Sequence, residues 1–149
     1  PFGPFAIAGS DQGIRQADFQ DSDRPLEILP DWTRNERPFT SALQALEGYF
    51  AGKPQPFALD FDLRSTPFRL TVWQALQTIP SGQTFSYKRL AEQLQMPNGS
   101  RAVGSAIGKN PVTLMIPCHR VVGSNGTLTG FAGGLALKEK LLRHEGWLK

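Results

Sequence analysis

The sequence is poor in cysteine and histidine, with one cysteine, Cys118, and two histidines in 149 residues. A single thiol excludes an internal disulfide and any zinc site built from several cysteines, and it fits a reducing compartment. We therefore expect no metal site. No run of about 18 apolar residues occurs, so no transmembrane helix is expected. The first residues lack a basic segment followed by an apolar one, so no secretory signal is expected either.

Acidic and basic residues are unevenly distributed along the chain. Residues 1–66 carry 6 Lys/Arg and 10 Asp/Glu, a net charge of −4, whereas residues 67–149 carry 10 and 3, a net charge of +7. A basic half indicates a polyanionic partner, and nucleic acid is the first candidate. A basic face that is merely solvated would carry the same charge, so charge alone leaves both interpretations open.

The first part of the chain, residues 1–65, predicts a small mixed α/β domain with a sheet. Apolar residues around a polar turn predict a β-hairpin over 4–20. Helical spacing of apolar residues predicts a helix over 38–50, and strict alternation predicts a half-buried strand over 57–63.

The second part, residues 66–149, predicts a mostly helical domain. Thr66 before Pro67 is typical of the start of a helix. The predicted elements are helices over 67–79, 86–95, 101–109 and 135–144 and a short strand over 112–116. Two helices around a short glycine-containing turn at 96–99 are typical of a helix-turn-helix, here winged-helix-like. The expected class of the whole chain is α+β.

Small side chains dominate the predicted helix over 101–109, which we expect Ser100 to cap. The helix contains Gly104 and Gly108, and a glycine inside a helix costs roughly 1 kcal/mol relative to alanine. Small residues allow close approach of the backbone to a neighbour. That neighbour is either another helix or a DNA groove, and the cations Arg101 and Lys109 at the two ends favour DNA.

The most informative motif is Pro117-Cys118-His119-Arg120. A neighbouring imidazole or cation lowers the pKa of a thiol from about 8.5 towards neutrality. Cys118 is therefore a candidate nucleophile with activating groups beside it. Apolar residues on both sides are equally typical of a buried structural cysteine, so this segment alone leaves both readings open.

The segment Pro117–Gly123 resembles the PCHRV signature of the O6-alkylguanine-DNA alkyltransferases, also called methylated-DNA–protein-cysteine methyltransferases. The resemblance covers all of residues 67–149. Its further motifs, in order, are Tyr87, Arg101-Ala102-Val103-Gly104, Asn110-Pro111, Gly133-Gly134-Leu135 and Leu141-Leu142-x-x-Glu145-Gly146. Residues 1–65 resemble, more weakly, the variable ribonuclease-H-like N-terminal domain of the family.

The resemblance implies direct-reversal DNA repair without a cofactor. In such a reaction the Cys118 thiolate displaces the alkyl group from guanine O6 and keeps it, so each molecule acts once. The implied catalytic network consists of Cys118, His119, Glu145 and Asn110. The implied base pocket consists of Tyr87, Met115, Pro117, Val121, Phe131 and Ala132.

The resemblance also implies double- or single-stranded DNA carrying O6-alkylguanine as the partner. The target base is flipped out through the minor groove, and Arg101 fills the vacated stack. The residues expected at the DNA are Thr84, Ser100, Arg101, Ala102, Gly104, Ser105, Gly108, Lys109 and Arg120. We expect a monomer in solution, located in the cytoplasm, at the nucleoid of a prokaryote or in the nucleus of a eukaryote. Cooperative assembly on DNA and activity on O4-alkylthymine are left open.

The chain departs from some family members at two positions of the base pocket. Phe131 and Ala132 stand where those members have tyrosine and serine, whose hydroxyls can bond the base. Only an aromatic wall and a backbone N–H remain here, so the substrate range is open.

Two other functions would also use these residues. A helix-turn-helix regulator or lesion-recognition protein would keep its function after Cys118→Ser, but major-groove recognition helices usually carry long polar side chains. A cysteine hydrolase would use Cys118 and His119 directly. Adjacent residues of a strand point to opposite faces, which disfavours that dyad.

Overall fold

A β-hairpin and one helix come first in the chain, and four further helices follow. The computed structural model describes residues 2–23, 25–53, 57, 59–131 and 133–149. The elements are β1 (Phe5–Ser10), β2 (Gly13–Phe19), α1 (Thr40–Phe50), α2 (Pro67–Leu76), β3 (Phe85–Ser86), α3 (Tyr87–Gln93), α4 (Ser100–Gly108), β4 (Val121–Val122) and α5 (Leu135–His144). Single 3₁₀ turns occur at Arg37–Phe39 and Cys118–Arg120. The predicted α+β class is confirmed.

The predicted hairpin is present as β1 and β2. The strands are antiparallel, with Phe5 opposite Phe19 and an irregularity in register after Ala8. Gly13 has a φ of 146°, and a Cβ there would lie 2.5 Å from the carbonyl oxygen of Asp60. Only glycine therefore allows this close approach of the hairpin to residues 60–62.

The predicted strand over 57–63 does not form among its described residues, and Ala58 lies outside them. A single bridge joins Phe61 to Ile14. The N–H of Leu59 donates to the carbonyl of Phe57 at 3.0 Å, an i→i+2 bend that an extended strand cannot contain. The apolar residues of this segment are half-buried, as their alternation predicts, but they do not pair regularly with another strand.

The predicted strand over 112–116 is replaced by a tight turn. Leu114 has a φ of 75°, in the left-handed region, and Thr113 bridges Ile116. Leu114 is fully buried, so packing holds a backbone conformation that costs a non-glycine residue about 1–3 kcal/mol. The turn is tied to β2 because Ala17 donates to Pro111 O at 3.0 Å and accepts from Thr113 N at 2.9 Å. The N-terminal sheet thereby fixes the segment that leads to Cys118.

Side-chain caps define two of the helices. Thr66 accepts a hydrogen bond from Arg69 N at 3.3 Å, which confirms its prediction as the cap of α2. Ser86 caps α3 through Arg89 N at 2.9 Å. The prediction that Ser100 caps the next helix is wrong, since α4 starts at Ser100 itself and Gly99 occupies the cap without a side-chain bond. Glycine tolerates this position almost as well as a capping side chain.

Helices α3 and α4 form the helix-turn-helix, with α2 packed behind α4. The indole N–H of Trp73 donates to Ala106 O at 2.8 Å, which locks α2 onto α4. The short strands β3 and β4 pair in parallel and bring the residues after Cys118 beside α3. In the part of the chain that is described, no helix is both long enough and apolar enough to cross a membrane.

Candidate active site and DNA interface

Cys118 opens a 3₁₀ turn that follows Pro117, and it is 7% exposed. Its N–H donates to Ile116 O at 2.8 Å. Burial raises the pKa of the Cys118 thiol to about 11, although a hydrogen bond with Asn110 and the charge of Lys138 act in the opposite direction. The resting group is therefore a neutral thiol, and a nucleophilic reaction requires a base to take its proton.

Asn110 braces the loop that carries the cysteine. Its side-chain amide donates to Ile116 O at 2.9 Å, and its side-chain oxygen accepts from Val112 N at 3.0 Å. Both ends of the 112–116 turn are thus held by one side chain. This bracing explains how the left-handed Leu114 is kept in place.

His119 and Glu145 form a buried pair beside the cysteine. His119 is fully buried, and its Nε2 lies 2.6 Å from Glu145 Oε2, on a side chain that is only 1% exposed. Burial by itself would raise the pKa of Glu145, but hydrogen bonds and charge from His119 and Arg120 outweigh it and lower the pKa to about 2. An ionised carboxylate only accepts hydrogen bonds, so Nε2 carries the proton.

The other ring nitrogen of His119 is then an unprotonated acceptor. Nδ1 is buried and has no hydrogen-bond partner among the described residues. Burial lowers the pKa of His119 below its ordinary value despite the opposing effect of Glu145. The site thus contains a neutral imidazole with a free lone pair, adjacent in sequence to a neutral thiol.

Arg120 does not fit its prediction as a DNA contact. It is 7% exposed. Its Nε donates to Glu145 Oε1 at 2.6 Å, and its Nη1 donates to Ile79 O at 2.7 Å. A guanidinium committed to these buried acceptors cannot reach a phosphate, and its charge instead stabilises the Glu145 carboxylate.

A cavity of about 550 Å³ lies between α3, α4 and the loop before α5. Its lining residues are Tyr87, Ser100, Arg101, Gly104, Ile107, Gly108, Thr129, Gly130 and Phe131. Many of the residues predicted for base and DNA contacts are therefore brought together. Within the described residues, Cys118, Met115, Pro117 and Val121 are buried without lining this cavity. Thr84 is half-buried outside it, and Ala132 lies outside the described residues.

The outward side of α4 is made of small residues between two cations. Arg101, Ala102, Ser105, Gly108 and Lys109 are exposed. A Cβ at Gly108 would meet no described atom within 4 Å. Close packing on another helix therefore does not explain Gly108.

A Cβ at Gly104 would lie 3.7 Å from the Tyr87 ring, an ordinary contact distance. An alanine would therefore fit at both Gly104 and Gly108 in the free protein, so packing within the protein does not require these glycines. They leave the outward side of α4 without protruding side chains, and we call this the smooth surface of the helix.

Lys138 is a buried cation that sequence reasoning missed. It is fully buried, and its Nζ donates to Val121 O at 2.5 Å and to Thr129 O at 2.8 Å. Burial lowers the pKa of Lys138 to about 8, with Cys118 acting in the opposite direction. Its position, three and four residues before the core leucines of α5, is the signal that could have revealed it.

Tyr49 and His144 were also missed. The Tyr49 hydroxyl donates to Glu145 Oε2 at 3.1 Å. His144 Nε2 lies 2.8 Å from Tyr49 O. Tyr49 lies on the buried face of α1 together with Ala42 and Leu46.

Comparison with known proteins gives a family match for each of two segments of the chain. Residues 67–147 match the family described as 6-O-methylguanine DNA methyltransferase, DNA binding domain, and residues 1–63 match its ribonuclease-like domain. A methylated-DNA–protein-cysteine methyltransferase of Methanosarcina barkeri is 44% identical over 97% of this chain and 92% of its own length. A protein of the same name from Mycolicibacterium paratuberculosis is 44% identical over 97% and 87%.

A solved structure gives the same result for the fold. The crystal structure of Mycobacterium tuberculosis OGT in complex with DNA superposes with a TM-score of 0.87 at 39% identity, over 97% of this chain and 88% of that one. Sequence and fold agree over nearly the whole length. The chain belongs to the 6-O-methylguanine DNA methyltransferase family.

Proposed function

We propose that this protein repairs O6-alkylguanine in double- or single-stranded DNA by transferring the alkyl group to Cys118 Sγ. One S–C bond forms as the C–O6 bond breaks, guanine leaves restored, and the thioether remains on the protein. The alkyl carbon is the electrophile, and no cofactor enters this balance. Each molecule acts once because no step returns the thiol.

The observation that carries the proposal is the buried, unpartnered Nδ1 of His119, the residue that directly follows the buried thiol of Cys118 in the sequence. We propose that His119 takes the proton of Cys118 through a water, while Glu145 stabilises the resulting imidazolium. Guanine is a poor leaving group as an anion, so the proton must return to the departing base. Asn110 is proposed to hold the cysteine loop in place during transfer.

The cavity between Tyr87 and Phe131 is the proposed entry for the flipped base. Flipping the base out of the duplex costs a few kcal/mol in lost stacking and pairing. Contacts that the protein makes only with the flipped base must offset that cost. Arg101, at the exposed start of α4, is proposed to fill the gap in the stack. The smooth outward side of α4 fits a minor groove about 6 Å wide. The uncapped N–H groups at its first turn are suited to a phosphate.

We further propose that residues 1–65 and 66–149 act as two domains of a monomer, and that the protein works in the compartment that holds the DNA. The division into two domains is supported by the charge distribution, because the basic residues are concentrated in the second part. The location is supported by the proposed substrate, which is DNA.

The test is the intact mass of the protein after mixing with a short duplex that contains one O6-methylguanine. We expect a stoichiometric gain of one methylene, absent from Cys118→Ser and from an unmodified duplex. Cys118→Ser should still bind the modified duplex. Tight binding by the natural protein without any gain in mass would instead identify a lesion-recognition protein and refute transfer.

A further inference from the structure

Glu145 accepts hydrogen bonds from three described side chains, and one of them comes from the distant N-terminal part of the chain. His119 and Arg120 belong to the turn that starts at Cys118. The third donor is Tyr49 on α1, whose hydroxyl lies 3.1 Å from the same oxygen, Oε2, that faces His119 Nε2. Arg120 Nε donates to Oε1 at 2.6 Å and also reaches Oε2 at 3.4 Å, whereas His119 and Tyr49 bond Oε2.

The position of the Tyr49 hydroxyl is strongly constrained. Tyr49 is 2% exposed. Its ring stacks with Phe50 edge-on at 5.1 Å and with His144 at 5.0 Å. His144 Nε2 donates to the backbone carbonyl of Tyr49 at 2.8 Å. His144 and Glu145, which are consecutive, thus bond the backbone carbonyl and the hydroxyl of the same tyrosine. These two bonds fix the position of α1 relative to Glu145.

We infer that Tyr49 is a positioning residue, through which the N-terminal domain sets the orientation and basicity of Glu145. The inference deepens the proposed function and rests on it. Tyr49 and His119 bond the same oxygen of Glu145. If the carboxylate rotates away from His119, it therefore also loses the charge-assisted hydrogen bond from Tyr49. Burial and the nearby Glu145 raise the pKa of Tyr49, so it stays protonated and remains a donor.

Loss of the hydroxyl has a definite electrostatic consequence. The groups facing Glu145 are His119, Arg120 and Tyr49, and Lys138 also acts on His119. Without the Tyr49 donor, the negative charge near His119 Nε2 is less compensated and favours the imidazolium. The pKa of His119 then rises, and the neutral base that accepts the Cys118 proton becomes scarcer at a given pH.

Tyr49→Phe is the test variant, and Phe50→Leu is its matched control. Phe50 is the next residue of α1 and belongs to the same aromatic cluster, and its ring bears no group that can bond Glu145. We expect Tyr49→Phe to slow single-turnover transfer roughly 10-fold, as expected for a lost bond to a charged group. The acid limb of its pH–rate profile should move to higher pH. Phe50→Leu should leave that limb unchanged even where it lowers the melting temperature.

Two further measurements do not depend on activity. The ring resonances of His119 should titrate at higher pH in Tyr49→Phe than in the natural protein and in Phe50→Leu. In the natural protein the Tyr49 hydroxyl proton should exchange slowly with water, a readout that remains if the variant does not fold. Unchanged His119 titration, or equal slowing in both variants without a shift of the limb, would overturn the inference. Failure of the natural protein to transfer would refute the proposed function instead.

Discussion

At the residue scale, burial decides what each charged group of the PCHR motif does. His119 and Arg120 are adjacent in sequence and converge on one carboxylate, yet the first stays neutral and the second stays charged. A guanidinium delocalises its charge over a planar group and stays ionised in proteins. The pair therefore places a neutral imidazole and a fixed positive charge within one turn.

Glu145 makes acid stability a property of this network. Its pKa is about 2 in the folded protein and 4.5 ordinarily, so the folded state favours the ionised form. Its contribution is complete above pH 4.5 and is lost as pH falls through about 2. Urea unfolding at successive pH values should show a loss of about 3 kcal/mol across that window. Glu145→Gln should be less stable at neutral pH and should lack this loss, and an equally steep decline in Glu145→Gln would contradict the assignment.

Lys138 should matter for the thiol and for the base pocket together. Lys138→Met removes the positive charge that lowers the pKa of Cys118 and the donor that holds Thr129 O, which Tyr87 also bonds. We expect the thiol to titrate at higher pH, followed by thiolate ultraviolet absorbance, and transfer to slow about 10-fold. Lys140→Met is the control on the same helix, where the ammonium lies over the Phe2 ring. Equal behaviour of the two variants would refute the role.

Sequence predicted the residues of the network that lie inside a recognisable motif. Cys118, His119 and Glu145 could be named because they lie in motifs that resemble those of the family. Arg120 was assigned to DNA because a sequence shows charge but not burial. Tyr49 was missed because it acts through a contact far away in sequence, with Glu145 across 96 positions. Lys138 was missed because its partners are backbone carbonyls, which no residue type reveals.

At the element scale, residue patterns predicted helices better than strands. The helices and the hairpin form because their signals are local: spacing, Thr66 as a cap, and a turn that ends at Gly13. The segment 112–116 has the composition of a strand, but the left-handed Leu114 is imposed by Asn110 and by β2. A conformation held from outside the segment leaves no trace in the segment's own sequence.

Helix α4 offers a test that separates folding from function. In free protein, Gly108→Ala meets open space. It should raise the free energy of unfolding by about 0.5–1 kcal/mol, because alanine loses less backbone entropy than glycine. The added methyl would nevertheless stand on the surface proposed to enter the groove, so affinity for a modified duplex should fall several-fold in fluorescence anisotropy.

Gly48→Ala is the matched control for this experiment. It lies in α1, and a Cβ there would be 3.4 Å from Lys53 O. A gain in stability without any change in duplex affinity is expected for this variant. The same result for Gly108→Ala would show that α4 does not approach DNA closely.

At the scale of the whole molecule, the acidic part supports the basic part that carries the chemistry. Strand β2 fixes the loop before Cys118 through Ala17, and α1 reaches Glu145 through Tyr49. The reacting groups are thus built into the main core and not onto its surface. A group added to Cys118 must therefore disturb the core packing that both parts share.

Alkylation of Cys118 should therefore destabilise the fold. Cys118 is itself buried, and so are its neighbours in the sequence, Met115, Ile116 and Val121. An added methyl group overpacks such a site at a cost of about 1–3 kcal/mol. The melting temperature of the methylated protein should consequently fall by several degrees, and a benzyl group should lower it further. Cys118→Ser treated with the same duplexes should show no fall in melting temperature, which separates alkylation from DNA binding. An equal melting temperature before and after stoichiometric transfer would mean that the site opens to accept the group, and that the burial of Cys118 relaxes at no cost once the reaction is complete.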